Sequence, residues 1–129
     1  MSKKVLVVDD DVNVREDLKL PLLMRGYEVH EASNGQEGLE LARSQKPQVI
    51  LQDLLISKVD GFRVARLLKF DDRYKNIILV AITQLGRQET QDEARRMGFD
   101  FYMTKPLDPE RVADKLDQIF LDLDTDTGL

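Results

Sequence analysis

Apolar residues in this chain fall into short continuous runs, separated by longer segments with helical spacing. The runs have the length of strands and recur at intervals of about 20 to 25 residues; they are Val5–Val8, Tyr27–Glu31, Val49–Leu51, Ile77–Ile82 and Phe99–Met103. The first, third and fourth runs are apolar throughout, a pattern typical of parallel strands buried on both faces. The segments at roughly 12–25, 35–45, 61–70 and 87–97 have helical periodicity and are predicted to be helices.

A fifth helix is predicted near the end of the chain. Asp108 is a favourable N-cap residue, and Pro109 suits the first helical position. The apolar positions of this helix form one stripe, made of Val112, Leu116, Ile119, Phe120 and Leu123. From Asp122 the helical period is lost and three acidic residues follow in quick succession. We therefore predict one domain at 1–121 and a solvated acidic tail at 122–129.

The alternation of five strands with five helices predicts an α/β three-layer sandwich, with a parallel sheet between two layers of helices. A chain of 129 residues that is 42% hydrophobic has enough apolar material for a single core. No run approaches the roughly 20 apolar residues that a membrane span needs, and the first residues do not resemble a signal peptide. We therefore expect a cytoplasmic protein without a membrane partner.

Charge and composition narrow the possible chemistry. The chain has 24 acidic and 19 basic residues and a net charge of −5, so it would repel the phosphate backbone of nucleic acids, and no nucleic-acid partner is expected. It has no cysteine and one histidine, which excludes thiolate and multi-histidine metal sites. The remaining chemistry must use oxygen and nitrogen groups.

Polar side chains follow four of the predicted strands at the point where each strand ends. They are Asp9, Asp10 and Asp11 after the first strand, Asp53 after the third, Thr83 after the fourth and Lys105 after the fifth. Because the carboxyl ends of parallel strands meet at one edge of the sheet, we expect these carboxylates, the hydroxyl and the ammonium group to lie together.

Such a cluster suggests phosphoryl chemistry. Converging carboxylates repel one another unless a cation neutralises them, and Mg²⁺ is the cellular cation that prefers oxygen ligands. Mg²⁺ and Lys105 together would complement the charge of a phosphoryl group, and a carboxylate is a nucleophile that can form an aspartyl phosphate. The hydroxyl of Thr83 is placed to donate to a phosphoryl oxygen.

From about Lys4 to Leu121 the chain resembles the receiver domain of two-component response regulators. The matching elements, in chain order, are Val7-Val8-Asp9-Asp10, Asp53, Val59-Asp60-Gly61, Thr83, Tyr102 and Lys105-Pro106. The resemblance implies a flavodoxin-like fold with a five-stranded parallel sheet in the order 2-1-3-4-5. It also implies a phosphorelay role, in which a histidine kinase or a histidine phosphotransfer protein phosphorylates Asp53.

The resemblance further assigns a metal site. Mg²⁺ would be held by Asp10, by Asp53 and by the backbone carbonyl of Leu55, and Asp9 would contribute directly or through water.

The remaining matching residues receive catalytic and switching roles. Asp53, Lys105 and Thr83 are the implied catalytic residues, with Lys105 paired to the phosphoryl group. Thr83 and Tyr102 would move when the phosphoryl group arrives and so switch a protein-binding surface. We expect that surface on the exposed side of the helix near 88–97, together with the fifth strand and the last helix, and the output protein it binds is unknown. The protein would not be an enzyme in the usual sense, because it catalyses only its own phosphorylation and dephosphorylation.

Four residues depart from the usual receiver pattern. Ser57 replaces a proline, Gln84 replaces a small residue, and Leu55 and Leu85 occupy positions that are often polar. None of these changes removes a catalytic group. The two leucines flank the path of a hydrolytic water, and since leucine can neither orient that water nor accept its proton, we predict slow self-dephosphorylation.

Two other functions remain open at this point. Asp9-x-Asp11-x-Asn13 matches the opening motif of haloacid-dehalogenase-type phosphatases, with Asp9 as nucleophile and Asp11 as general acid. That interpretation leaves Asp53 without a role. A receiver-like interaction module that is never phosphorylated is the second alternative, and the complete set of acidic, hydroxyl and lysine residues argues against it.

Overall fold

Five strands alternate with five helices in the computed structural model, which describes residues 2–127. In chain order the elements are β1 (Lys4–Val8), α1 (Val12–Met24), β2 (Glu28–Ala32), α2 (Gly35–Gln45), β3 (Val49–Asp53), α3 (Gly61–Lys69), β4 (Ile78–Thr83), α4 (Gln88–Arg96), β5 (Phe101–Thr104) and α5 (Pro109–Thr127). All neighbouring strands are parallel, and their order is β2-β1-β3-β4-β5. The predicted α/β sandwich and strand order are confirmed.

Side chains of the central strands alternate between two cores, one on each face of the sheet. Leu6, Ile50 and Leu79 pack with residues of α2, α3 and α4, whereas Leu51 and Val80 pack with residues of α1 and α5. Both faces of β1, β3 and β4 are therefore covered, which explains why their sequences are continuously apolar. None of the described helices is both long and apolar enough to cross a membrane.

The last helix is longer than the sequence predicted. We expected the helical structure to end before Asp122, but α5 continues to Thr127, so that expectation is wrong for 122–127. No glycine or proline interrupts this segment, Leu123 still packs against the core, and the side chain of Gln118 donates to Asp122 one turn later at 2.9 Å. Residues 128 and 129 lie outside the described part of the chain, and the domain boundary at 121 remains a prediction.

The start of α2 packs tightly against the loop that joins β3 to α3. A side chain at Gly35 would overlap the backbone carbonyl of Val59, and the Gly35 N–H donates to the carbonyl of Ser57 at 3.2 Å. Gly61, the first residue of α3, lies similarly close to the backbone carbonyl of Asp53. The loop is thus held from both sides, even though Ser57 stands where a more rigid proline is usual.

Candidate functional site

Three carboxylates converge at the carboxyl edge of the sheet. Oxygen atoms of Asp9, Asp10 and Asp53 all lie within 4.8 Å of one another. They meet because β1 and β3 are neighbouring parallel strands, so the residues that end them share one edge. Asp9 is fully buried and Asp53 is 5% exposed, whereas Asp10 is exposed to solvent. Three of the four carboxylates that the sequence predicted for this edge therefore form a cluster, and the expectation is wrong for Asp11.

Lys105 places its ammonium group between two of these carboxylates. Its Nζ lies 2.7 Å from Asp9 Oδ2 and 3.3 Å from Asp53 Oδ2. The backbone N–H of Lys105 donates to the carbonyl of Thr83 at 2.7 Å, which fixes the residue beside the end of β4. The peptide bond to Pro106 is cis. Lys105 therefore occupies the place that the sequence predicted for it.

Burial dominates the electrostatics of Asp53. Loss of solvent and, next, the negative charge of Asp9 raise the pKa of Asp53 to about 6, although Lys105 and the N–H of Leu55 oppose the shift. For Lys105, burial alone lowers the pKa, but the carboxylates of Asp9 and Asp53 outweigh it and raise the pKa overall. At neutral pH the site therefore holds a charged lysine and crowded carboxylates with excess negative charge.

The donor set of the cluster fits a hard divalent cation. It consists of carboxylate oxygens alone, two of its three residues are buried, and its excess negative charge favours a bound cation. The backbone of Leu55 lies beside it, because its N–H donates to Asp53 Oδ1 at 3.1 Å. The role of the Leu55 carbonyl as a further ligand remains a prediction.

The two predicted switch residues are joined through Leu85. The buried hydroxyl of Thr83 accepts a hydrogen bond from the N–H of Leu85 at 3.2 Å, and the hydroxyl of Tyr102 donates to the carbonyl of the same residue. Thr83 and Tyr102 thus both hold the loop between β4 and α4. A displacement of Thr83 would change a loop that Tyr102 also contacts.

Two residues near the site were missed by the sequence analysis. Arg15 donates to the backbone carbonyl of Asp9 at 2.6 Å, and Gln52 donates through Nε2 to the backbone carbonyl of Asp53 at 2.9 Å. Gln52 had a visible signal, since it is a polar residue next to an apolar run. Arg15 had none, because its contact depends on the turn between β1 and α1.

Asp11 lies outside the acidic cluster. Its carboxylate accepts a hydrogen bond from the N–H of Asn13 at 2.9 Å and caps the start of α1. Asp9, the other residue of the phosphatase motif, is fully buried and paired with Lys105. The arrangement gives Asp11 a structural role and offers no support for a phosphatase that uses these two residues.

Comparisons with known proteins agree with the fold. A model of the response regulator receiver domain matches residues 5–117. The transcriptional regulatory protein SrrA of Staphylococcus aureus is 38% identical over 112 residues, which are 87% of this chain and 45% of SrrA. The chain therefore spans less than half the length of this relative.

Solved structures give the same result. The chemotaxis response regulator CheY4 of Vibrio cholerae superposes with a TM-score of 0.86 at 28% identity, covering 92% of this chain and 99% of CheY4. The signal receiver domain of a signal transduction histidine kinase from Syntrophus aciditrophicus superposes with a TM-score of 0.82 at 26% identity, covering 91% of this chain and 89% of that domain. With the family match over most of its length and the acidic cluster and lysine in place, this chain belongs to the response regulator receiver domain family.

Proposed function

We propose that this chain is a phosphoacceptor, which takes a phosphoryl group from a histidine of a kinase or phosphotransfer protein onto Asp53. The observation that supports this most directly is the environment of the Asp53 carboxylate. It is 5% exposed, shares a cluster with Asp9 and Asp10, and lies 3.3 Å from the ammonium group of Lys105. The chain catalyses only its own phosphorylation and dephosphorylation, and it does so in the cytoplasm.

In the transfer step, an oxygen of Asp53 forms a bond to phosphorus while the bond from phosphorus to the imidazole nitrogen of the donor breaks. The freed imidazole nitrogen then takes a proton from solvent. The Leu55 N–H orients the carboxylate by holding Oδ1, and Lys105 is close enough to pair with the phosphoryl oxygens. Positioning and electrostatic stabilisation of this kind supply most of the catalysis in phosphoryl transfer.

Magnesium is part of the proposal. Asp10, Asp53 and the carbonyl of Leu55 would hold Mg²⁺, with Asp9 contributing directly or through water. Bound Mg²⁺ supplies positive charge that neutralises the carboxylates and the incoming phosphoryl group.

The output of the proposed switch is a change in protein binding. Thr83 and Tyr102 both hold Leu85, at the start of the loop that leads into α4. Within α4, which the structure describes in full, Ala94 alone is buried, so most of that helix is at least partly exposed. The candidate surface is this side of α4 together with β5 and α5. We assign contact with the output protein to this surface.

Direct labelling tests the proposal. The chain is incubated with Mg²⁺ and acetyl phosphate, and the added mass is located by peptide mapping before and after treatment with hydroxylamine. The expected result is one hydroxylamine-labile label on Asp53, which is absent without Mg²⁺ and absent from Asp53→Asn. Undiminished labelling of that variant would contradict the assignment, and wild-type protein that takes no label would favour a non-phosphorylated interaction module. Multiple turnover of a small phosphate ester would instead favour a phosphatase.

A further inference from the structure

We infer that Gln52 is a positioning residue, which fixes the path of the backbone directly after Asp53 and thereby tunes the affinity of the site for Mg²⁺. This inference rests on the proposed function, because the role of the site is taken from there. It concerns a side chain that lies next to the phosphoacceptor in sequence but on the opposite face of the sheet.

Gln52 is a fully buried amide in a strand that is otherwise apolar up to Asp53. Side chains alternate along a strand, so Gln52 lies on the same face as Ile50, towards α2, α3 and α4. Its Nε2 donates to the backbone carbonyl of Asp53 at 2.9 Å. Its Oε1 has no hydrogen-bond partner among the described residues.

The Asp53 backbone carbonyl, which accepts the hydrogen bond from Gln52, also lies against the start of α3. Gly61, the first residue of α3, lies so close to it that a Cβ atom there would be 2.5 Å away. One peptide unit further along, the Leu54 carbonyl accepts from the Gly61 N–H at 3.2 Å. The orientation of the Asp53 carbonyl therefore helps to decide where the following backbone runs.

That backbone carries two groups of the proposed site. The Leu55 N–H holds Asp53 Oδ1 at 3.1 Å, and the Leu55 carbonyl is the proposed backbone ligand for Mg²⁺. A small rotation about the Asp53 peptide would move both groups relative to the carboxylates. Gln52 therefore acts on the site through the backbone, and it touches neither the metal nor the phosphoryl group.

Stability alone does not explain an amide at this position. The buried Oε1 has no partner in the part of the chain that the structure describes, which is unfavourable. A methionine would fill similar space and remove that acceptor, but it would also take the Nε2 donor away from the Asp53 carbonyl. The positioning role and a purely structural role are therefore distinguished by where an apolar replacement acts: at Leu55 and the metal site, or throughout the core.

The test compares Gln52→Met with wild type, using Ile50→Met as the matched control on the same strand and face. Gln52→Leu serves as a second variant in case the methionine packs poorly. Three quantities are measured: the thermal midpoint without metal, the exchange rate of the Leu55 amide by NMR, and the Mg²⁺ dependence of Asp53 labelling by acetyl phosphate.

For Gln52→Met we expect a thermal midpoint close to that of wild type, because loss of the Nε2 donor and removal of the unpartnered Oε1 act in opposite directions. We also expect exchange of the Leu55 amide to be about fivefold faster, and the half-saturating Mg²⁺ concentration to be about fivefold higher, as the loss of one ordinary hydrogen bond would give. Ile50→Met should alter neither the amide exchange nor the Mg²⁺ dependence.

Unchanged Leu55 exchange and Mg²⁺ dependence in both Gln52 variants would overturn the inference. So would a lower thermal midpoint accompanied by faster exchange throughout the sheet, since that is the result of an ordinary core residue. If wild-type protein takes no label on Asp53, the proposed function fails, and the amide exchange still decides whether Gln52 positions the backbone.

Discussion

At the level of single residues, the site contains charged groups whose burial destabilises the folded protein. Asp53 is buried beside the negative charge of Asp9, which raises its pKa to about 6. Lys105 offsets this only in part. The native protein therefore binds a proton at Asp53 more tightly than the unfolded chain does, and its stability depends on pH in a direction that can be stated.

Replacement of Asp53 by asparagine should stabilise the metal-free protein at pH 7. Because the pKa of Asp53 is raised on folding, the ionised carboxylate destabilises the folded protein. This destabilisation is absent below pH ~4, grows between pH ~4 and ~6, and is constant above that window. The gain in the free energy of unfolding from Asp53→Asn should have the same pH dependence and reach at most about 3 kcal/mol. Urea unfolding of both proteins from pH 4 to 8, with a chelator present, measures it.

Saturating Mg²⁺ provides the control for this experiment. A bound cation neutralises the carboxylate in the wild type only, so the advantage of the variant should shrink or reverse. If Asp53→Asn is less stable than wild type at pH 7 without metal, electrostatic crowding is not the dominant energy at this site.

Leu55 and Leu85 should control the lifetime of the phosphoryl group. Leu55 is 57% exposed, and both leucines lie in loops that follow strand ends of the site. Replacing them with Asn at 55 and Glu at 85 supplies groups that can orient a water, and should accelerate phosphate loss about tenfold or more, each tenfold being ~1.4 kcal/mol of barrier. The decay of the labelled protein after removal of the donor gives the rate. A lifetime of only seconds in the wild type, unchanged in the double variant, would show that the leucines merely cover the site.

At the scale of elements, the loop from β3 to α3 depends on close contact between backbones. Gly35 begins α2 directly against the Val59 carbonyl, and its N–H donates to Ser57. Alanine normally favours a helix over glycine, but at this position a Cβ atom has no space. Gly86, by contrast, would place a Cβ atom at 3.5 Å from the Thr104 side chain, which is ordinary contact.

Gly35→Ala should therefore destabilise the protein by about 1–3 kcal/mol, the usual range for overpacking. It should also lower the rate of Asp53 labelling, because the displaced loop carries Leu55. Gly86→Ala is the matched control and should leave stability nearly unchanged. Equal unfolding midpoints for the two variants in urea would show that α2 can shift to accommodate the added Cβ atom and does not restrain the loop.

At the scale of the whole molecule, the proposed signal runs from the site to the face formed by α4, β5 and α5. Thr83 and Tyr102 belong to neighbouring strands and hold the same residue, Leu85. Of the residues described in α4, only Ala94 is buried, so this helix has few contacts that would resist a shift.

Thr83→Ala should accept phosphate but fail to transmit its arrival. In the wild type, labelling with acetyl phosphate and Mg²⁺ should change hydrogen exchange at 84–104, since the hydroxyl leaves Leu85 for the phosphoryl group. In the variant, the label should still appear on Asp53 while exchange in that segment stays constant. Hydrogen exchange with mass spectrometry measures both proteins, and β1 is the internal reference. An unaltered response in Thr83→Ala would place the switch elsewhere.

The fold class and the central charged residues of the site could be predicted from the sequence alone. Continuous apolar runs separated by helical segments are best buried as parallel strands covered on both faces, and the carboxyl ends of such strands share an edge. Asp9, Asp53 and Lys105 could therefore be assigned to one site from their positions along the chain alone.

How these residues interact depends on contacts between parts of the chain that are distant in sequence. The position of Lys105 between Asp9 and Asp53, the link from Thr83 to Tyr102 through Leu85, and the hydrogen bond from Gln52 to the Asp53 carbonyl join elements or backbone groups that no local pattern relates. The continuation of α5 to Thr127 was not predicted for a similar reason. The spacing of apolar residues indicates which face of a helix is buried, but not where the helix ends. A helix continues as long as its backbone hydrogen bonds remain favourable.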